Sequence, residues 1–232
     1  EFIPGVFGEI VAQISKVQKI NILIEKKKDK EKVKIVLKKL PINSKNIYFK
    51  ICKTDRAWLR DSFPIFVKNK LKKNILIDWR FNAWAKYKNF KNDNKICVRI
   101  KKYTNYELVK PLANKKRIIL EGGSIDVNGK GLLLTTRECL LSKKQERNPN
   151  FKRNDYENIF NKFLGINKVL WLQGGIAGDD THGHIDDIAR FISEKKIFIA
   201  DEKNPKDVNY KILKKNFRII KRLIKKENLK II

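Results

Sequence analysis

Three segments of this 232-residue chain share one layout, and that repetition restricts the folds open to it. Each runs from a polar, acid-bearing loop into an apolar strand, then a tight turn and a second apolar strand. The first is Arg60-Asp61-Ser62-Phe63-Pro64-Ile65-Phe66-Val67 followed by Asn74 to Ile77. The second is Glu121-Gly122-Gly123-Ser124-Ile125-Asp126-Val127 followed by Leu132 to Thr135, and the third is Gly183-His184-Ile185-Asp186 through Phe191-Ile192 followed by Ile197 to Ala200. Asn128-Gly129 and Glu194-Lys195-Lys196 sit where hairpin turns belong. The anchors Asp61, Gly123 and His184 recur about every 61 residues, with room for a helix between hairpins. Such spacing predicts an α/β chain of repeated hairpin-plus-helix modules arranged around an axis. Three hairpins alike by chance are the alternative.

The flanks follow the same alternation. Val6, Ile10, Ile14 and Val17 share one helical face, and Ile20 to Ile24 reads as a strand. The charged run Glu25 to Lys34 leads into a second helix ending near Leu40, stopped by Pro41, and Ile47 to Cys52 is the next strand. Asn209 to Glu227 is amphipathic, with Leu213, Phe217, Ile220 and Ile224 on one face, and Leu229 to Ile232 begins another strand. Glu1 at the start, the lack of Met and that short last strand lead us to expect one catalytic-type domain over residues 1–232, cut at both ends.

Charge is a weaker guide. The formal net charge is +29, yet Lys outnumbers Arg about four to one and is spread along the whole chain. Arg is the side chain suited to forked phosphate recognition, so a solvated basic surface is expected rather than a specific nucleic-acid partner. Hydrophobic residues make up 42% of the chain, enough for a core, and no apolar run is long enough to span a bilayer. Three cysteines, Cys52, Cys97 and Cys139, with no CxxC spacing, fit a reducing cytoplasmic compartment.

The densest polar cluster is Gly178-Asp179-Asp180-Thr181-His182-Gly183-His184-Ile185-Asp186-Asp187, which holds both histidines. Burying so many charges for structure alone is costly, so a site is expected there; an exposed acidic turn is the plainer alternative. Thr181 to Asp186 resembles the T-H-x-H-x-D start of metallo-β-lactamase-like hydrolases. That chemistry needs further histidine ligands, and this chain has none to give. The glycines fit neither a P-loop nor G-x-G-x-x-G, and no G-x-S-x-G elbow is present.

Five segments taken in order carry a more specific likeness. They are Trp58-Leu59-Arg60-Asp61, Asp78-Trp79-Arg80-Phe81-Asn82-Ala83-Trp84, Glu121 to Gly129, Thr135-Thr136-Arg137-Glu138-Cys139-Leu140-Leu141, and Asp179 to Asp186. Together they resemble the agmatine deiminase and bacterial (Porphyromonas-type) peptidylarginine deiminase family of guanidine-modifying enzymes. The resemblance implies a five-module α/β propeller, here partial, with the site on its axis. It implies a hydrolase that converts agmatine to N-carbamoylputrescine and ammonia in polyamine synthesis, with a small guanidine as partner and no cofactor or metal. By the same match Asp61 and Asp186 grip the guanidinium, His184 is the general acid and base, and Trp58 walls the pocket; Asp180 and Glu121 are further substrate-binding candidates. Paired carboxylates suit a planar cation with forked N–H donors. Residues 184 and 186, read as strand positions, would share one face.

The chain departs from the family in one respect above all. The family nucleophile is a Cys in a Gly-Gly-Gly-x-Ile-His-Cys-like motif, and no such motif occurs here. Cys139 lies in a stretch read as a strand, where the family has a non-catalytic residue, and Cys52 and Cys97 read as core thiols. Two alternatives stay open: deimination of peptidyl-arginine, and a catalytically inactive basic binding module on the same fold.

Overall fold

The computed structural model describes residues 2–232. Helix α1 (Phe2–Val17) leads into strand β1 (Ile20–Ile24), helix α2 (Asp29–Leu37) and strand β2 (Ile47–Ile51). β1 and β2 pair in parallel with Ile22 opposite Phe49, so this opening unit is a βαβ crossover. α2 stops at Leu37, short of Leu40. The apolar stripe of α1 does not face the body: Val6, Ile10 and Val17 are exposed, while Val11, Ala12 and Ser15 are buried. The small side chains of that buried face let α2 approach, and Ser15 ties α1 to the loop after α2, its Oγ accepting from Asn43 N at 3.0 Å.

The short helix α3 (Leu59–Ser62) precedes the hairpin β3 (Ile65–Lys68) and β4 (Asn74–Ile77). Helix α4 (Ile96–Lys101) then returns the chain to β5 (Glu107–Val109), which lies parallel to β4. A small hairpin, β6 (Leu112–Ala113) and β7 (Lys116–Arg117), follows. The second large unit pairs β8 (Asp126–Val127) with β9 (Leu132–Thr136) as a hairpin, passes through α5 (Arg137–Leu141) and α6 (Arg153–Leu164), and closes with β10 (Lys168–Leu172) parallel to β9. The third repeats this with β11 (Ala189–Ser193), β12 (Lys196–Ile199), helix α7 (Tyr210–Glu227) and β13 (Lys230–Ile231).

The three hairpins read from the sequence are therefore present, each extended by a third, parallel strand delivered by a helical connection. The fold is mixed α/β. Two details differ from expectation. Thr136 ends β9 and caps α5, its Oγ1 accepting from Cys139 N at 3.0 Å, so Cys139 is helical rather than extended. The third hairpin begins only at Ala189, which leaves His184 and Asp186 in the loop before it.

Two apolar cores hold the last two units together. One packs Ile77, Leu120 and Leu133 against Tyr156 and Phe160 of α6; the other packs Leu134, Leu170 and Ile197 against Leu213 and Ile220 of α7. Each such side chain is worth roughly 1.5–3 kcal/mol when fully buried. The α7 face also positions a loop. Buried Asn216 accepts from Gln173 N at 2.8 Å and donates to Gly174 O at 2.7 Å, pinning the chain as it leaves β10 toward the histidine cluster.

Candidate active site

The loops that precede the three hairpins converge on one point. α3 brings Asp61, the turn before β8 brings Gly123, and the loop before β11 brings His184 and Asp186. His184 Nδ1 lies 3.8 Å from Asp61 Oδ1 and 3.8 Å from Asp186 Oδ1. These are Coulombic contacts rather than hydrogen bonds. Gly123 is the floor between them: a Cβ there would fall 2.5 Å from His184 Nδ1, 2.6 Å from Asp61 Oδ1 and 2.9 Å from Asp186 Oδ2. Only glycine allows the three side chains to meet so closely.

Asp61 is buried and both its oxygens have donors, Gly123 N at 2.9 Å and Trp84 Nε1 at 3.0 Å. Burial pushes its carboxyl above the ordinary range, against the pull of His184 and those two donors. Asp186 is likewise raised by burial, while His184, Arg60 and Arg190 pull it down. Its side chain has no hydrogen-bond donor within reach among the described residues; Arg60 Nε stands 3.7 Å away. Its oxygens are free to accept from a ligand.

Behind His184, Glu121 Oε2 faces the imidazole Nε2 at 3.8 Å, and Glu121 Oε1 accepts from Arg147 Nε at 3.1 Å. Glu121 and Arg147 are fully buried, an ion pair held by further bonds from Arg147 to the carbonyls of Gln145 and Thr181. Burial opposes charge on Glu121, but Arg147 and His184 outweigh it and hold the carboxyl down at about 2. Burial also opposes charge on His184, yet the neighbouring Cys139, Glu121 and Asp61 outweigh it and raise the imidazole well above its usual value.

Two strained loops aim these groups. His182 and Gly183 both have positive φ, at 64° and 94°. Asp179 holds this bend, accepting from Thr181 N at 2.7 Å, Gly183 N at 2.6 Å and His184 N at 3.2 Å. Ala83, Trp84 and Ala85 form a left-handed turn, with φ of 51°, 59° and 53°. Each non-glycine residue there costs roughly 1–2 kcal/mol. The turn is fixed by Asn82 Oδ1, which accepts from Ala85 N at 3.0 Å, and by Gln145 Nε2, which donates to Trp84 O at 2.9 Å. Backbone strain of this kind gathers at functional sites.

A cavity of about 450 Å³ opens over the cluster, lined by Trp58, Asp61, Trp84, His184 and Asp186, with Asp180 at its edge. A larger one, about 790 Å³, lies beside β3 and β8. Its only acid, Asp126, is already bonded to Arg190 Nε at 3.0 Å and Phe191 N at 2.5 Å. The smaller cavity holds Asp186, whose oxygens are free to accept, beside Asp61 and His184.

Of the residues expected from the sequence, Asp61, His184 and Asp186 come together, and Trp58, a residue 65% exposed, lines the same cavity. Asp180 is exposed and engaged by Lys86 and Tyr87 rather than turned to the cavity floor. Glu121 stands behind His184, outside the cavity lining, because its pairing with Arg147 draws it into the interior. His184 and Asp186 meet through a turn, not by sharing a strand face. Trp84, Gly123 and Arg147 were not anticipated as site residues. Trp84 and Gly123 lie inside the family-like segments, and their lack of a titratable group gives no chemical signal. None of the three cysteines lines the cavity, and all three are buried and unpaired.

No helix among the described residues is long and apolar enough to cross a membrane. The profile of the Porphyromonas-type peptidyl-arginine deiminase family matches residues 2–232. A curated relative from Legionella pneumophila, named "Putative agmatine deiminase", is 36% identical over 166 residues, 71% of this chain and 46% of its own. Another of that name, from Selenomonas ruminantium, is 30% identical over 223 residues, covering 94% of this chain and 58% of its own. The chain thus spans about half the length of these relatives. Among solved structures, C. jejuni agmatine deiminase with substrate bound superposes with TM-score 0.84 at 29% identity, covering 99% of this chain and 64% of that one. Enterococcus faecalis agmatine deiminase gives TM-score 0.84 at 26% identity, over 97% of this chain and 60% of that one. With a match running from residue 2 to residue 232, the chain belongs to the Porphyromonas-type peptidyl-arginine deiminase family.

Proposed function

We propose that the cavity binds the guanidinium of agmatine and forms part of an agmatine deiminase, whose reaction yields N-carbamoylputrescine and ammonia. The observation that carries this is the pair of carboxylates, Asp61 and Asp186, each 3.8 Å from the same imidazole nitrogen of His184. Two acids on either side of a glycine floor suit a flat cation with N–H groups on both edges, and charge-assisted forked bonds are the strongest hydrogen bonds available to it. Trp58 and Trp84 both line the cavity and offer it aromatic walls. The relatives named as agmatine deiminases support the small-molecule substrate over a peptide one.

In this reading a thiolate attacks the guanidinium carbon to give a tetrahedral adduct. His184, whose imidazole holds its proton more tightly than usual, protonates the departing nitrogen, and ammonia leaves an amidino-thioether. The now neutral His184 takes a proton from water, whose oxygen adds to the same carbon. The C–S bond then breaks, returning the thiolate and releasing the urea-type product. Cys52, Cys97 and Cys139 do not line the cavity, so in this reading the thiol would be supplied by polypeptide other than these 232 residues. On their own, these residues supply binding and the acid–base group. The three hairpin-plus-helix units would then be members of a five-module propeller, and the setting a reducing cytoplasm that feeds putrescine synthesis.

Calorimetric titration of the chain tests the binding step. Agmatine should bind more tightly than putrescine, which keeps the amine and lacks the guanidine. Asp61→Asn and Asp186→Asn should each weaken agmatine binding about 10–100-fold, as expected for one lost charge-assisted contact. Equal affinity for the two ligands would remove the guanidinium reading.

A further inference from the structure

We propose that Glu121, Cys139 and His184 form a binding site for one zinc-type divalent cation, on the side of the imidazole turned away from the cavity. One ligand atom from each of the three residues lies within 4.8 Å of the other two, and all three residues are buried. The set joins a thiolate, an imidazole and a carboxylate, a mixture suited to a borderline-soft cation. Sequence spacing could not reveal it: the ligands come from the turn before β8, from α5 and from the loop before β11.

A second observation points to the same place. His184 Nε2 and Glu121 Oε2 are buried polar atoms without hydrogen-bond partners, and they face one another at 3.8 Å. A cation between them satisfies both at once. Bonds of about 2.0–2.3 Å in tetrahedral geometry need ligand atoms roughly 3.3–3.8 Å apart, so the three close by at most about 1.5 Å. Outer partners are already in position. Glu121 Oε1 is held by Arg147 Nε at 3.1 Å, and His184 Nδ1 faces Asp61 and Asp186, an arrangement in which carboxylates orient a metal-bound imidazole.

Binding releases the Cys139 thiol proton and the Nε2 proton of His184, so the cation's two charges are balanced by one thiolate and one carboxylate. With Nε2 occupied, the ring retains a single proton, on Nδ1, and can no longer cycle as an acid and base. On the proposed function, the cation is therefore an inhibitor; the binding itself does not depend on that function.

Cobalt(II), a spectroscopic substitute for zinc, tests the site in the chelator-treated chain. One equivalent should bind with a thiolate-to-cobalt charge-transfer band, and zinc should displace it. Cys139→Ser should abolish the band and weaken binding at least about tenfold, and Glu121→Gln should weaken binding while keeping the band. Circular dichroism checks that each variant is folded. Absence of the band in the unaltered chain overturns the proposal. So does a band that survives Cys139→Ser and disappears in Cys52→Ser or Cys97→Ser.

Discussion

Trp84 donates its indole N–H to Asp61 Oδ2 at 3.0 Å from a residue held at φ 59°, so a strained turn is maintained where it supplies a buried carboxylate with a donor. Phe81 packs edge-on against the same indole, with centroids 5.4 Å apart, and Gln145 holds the Trp84 carbonyl. The turn is thus fixed from three directions, and Asp61 is fixed with it.

Trp84→Phe keeps the ring and removes that donor. Leaving a buried carboxylate oxygen unpaired costs about 1–3 kcal/mol, which urea denaturation should report. The lost bond also lifts the already raised Asp61 carboxyl further, so agmatine binding should fail at a higher pH than in the unaltered chain. Unchanged pH dependence of binding would mean that the indole only packs.

Gly123→Ala places a methyl 2.5 Å from His184 Nδ1 and 2.6 Å from Asp61 Oδ1. Something must move, and the groups nearest are those proposed to hold the ligand. Agmatine affinity should drop at least about tenfold, with a folding cost of about 1–3 kcal/mol for overpacking. Gly5→Ala is the control: nothing lies within 4 Å of the added methyl, and a helix-interior Gly replaced by Ala should raise stability by about 0.5–1 kcal/mol without touching binding.

The hairpins were legible because strand alternation and Asn128-Gly129 leave a local record in the sequence. So were Asp61, His184 and Asp186, since they lie in motifs shared with a family. What was not legible is set by three-dimensional approach. Glu121 is a substrate-binding candidate by the family match, but its direction is decided by Arg147, 26 positions away in sequence. Cys139 reads as part of a strand running on from Thr135, and Thr136 turns the segment into a helix by capping it. Asp180 lines the cavity, but its carboxylate is engaged by Lys86 and Tyr87, which arrive from a loop more than ninety residues earlier.

His184 makes stability depend on pH in a defined direction. Its folded-state pKa lies well above 6.5, so the folded chain holds the proton more tightly than the unfolded chain does. The resulting stability is fully present below about pH 6.5 and is lost as pH rises through the folded value. Denaturation midpoints should therefore fall as pH rises above about 6.5, by about 1.4 kcal/mol for each tenfold by which folding tightens proton binding. Glu121→Gln removes a carboxylate facing Nε2 and should flatten that fall, while lowering stability throughout by roughly 3–5 kcal/mol because Arg147 loses its buried partner. A parallel, equally steep curve for the variant would show that Glu121 does not hold the proton.

The net charge of +29 opposes the approach of a cationic ligand, while Asp61 and Asp186 attract it only near the site. These two effects differ in range, so salt separates them. At 0.01 M ionic strength the Debye length is about 30 Å and the ligand meets the whole positive surface; at 0.15 M it is about 8 Å and mainly the local acids are felt. The association rate of agmatine should thus rise with salt over this interval, opposite to a site steered by its overall field. Dissociation should change less, because buried Asp61 is screened less than the surface. Stopped-flow measurement of both rates decides the matter. An association rate that falls steadily with salt would mean that the lysines, spread along the chain as they are, leave a negative approach to the cavity.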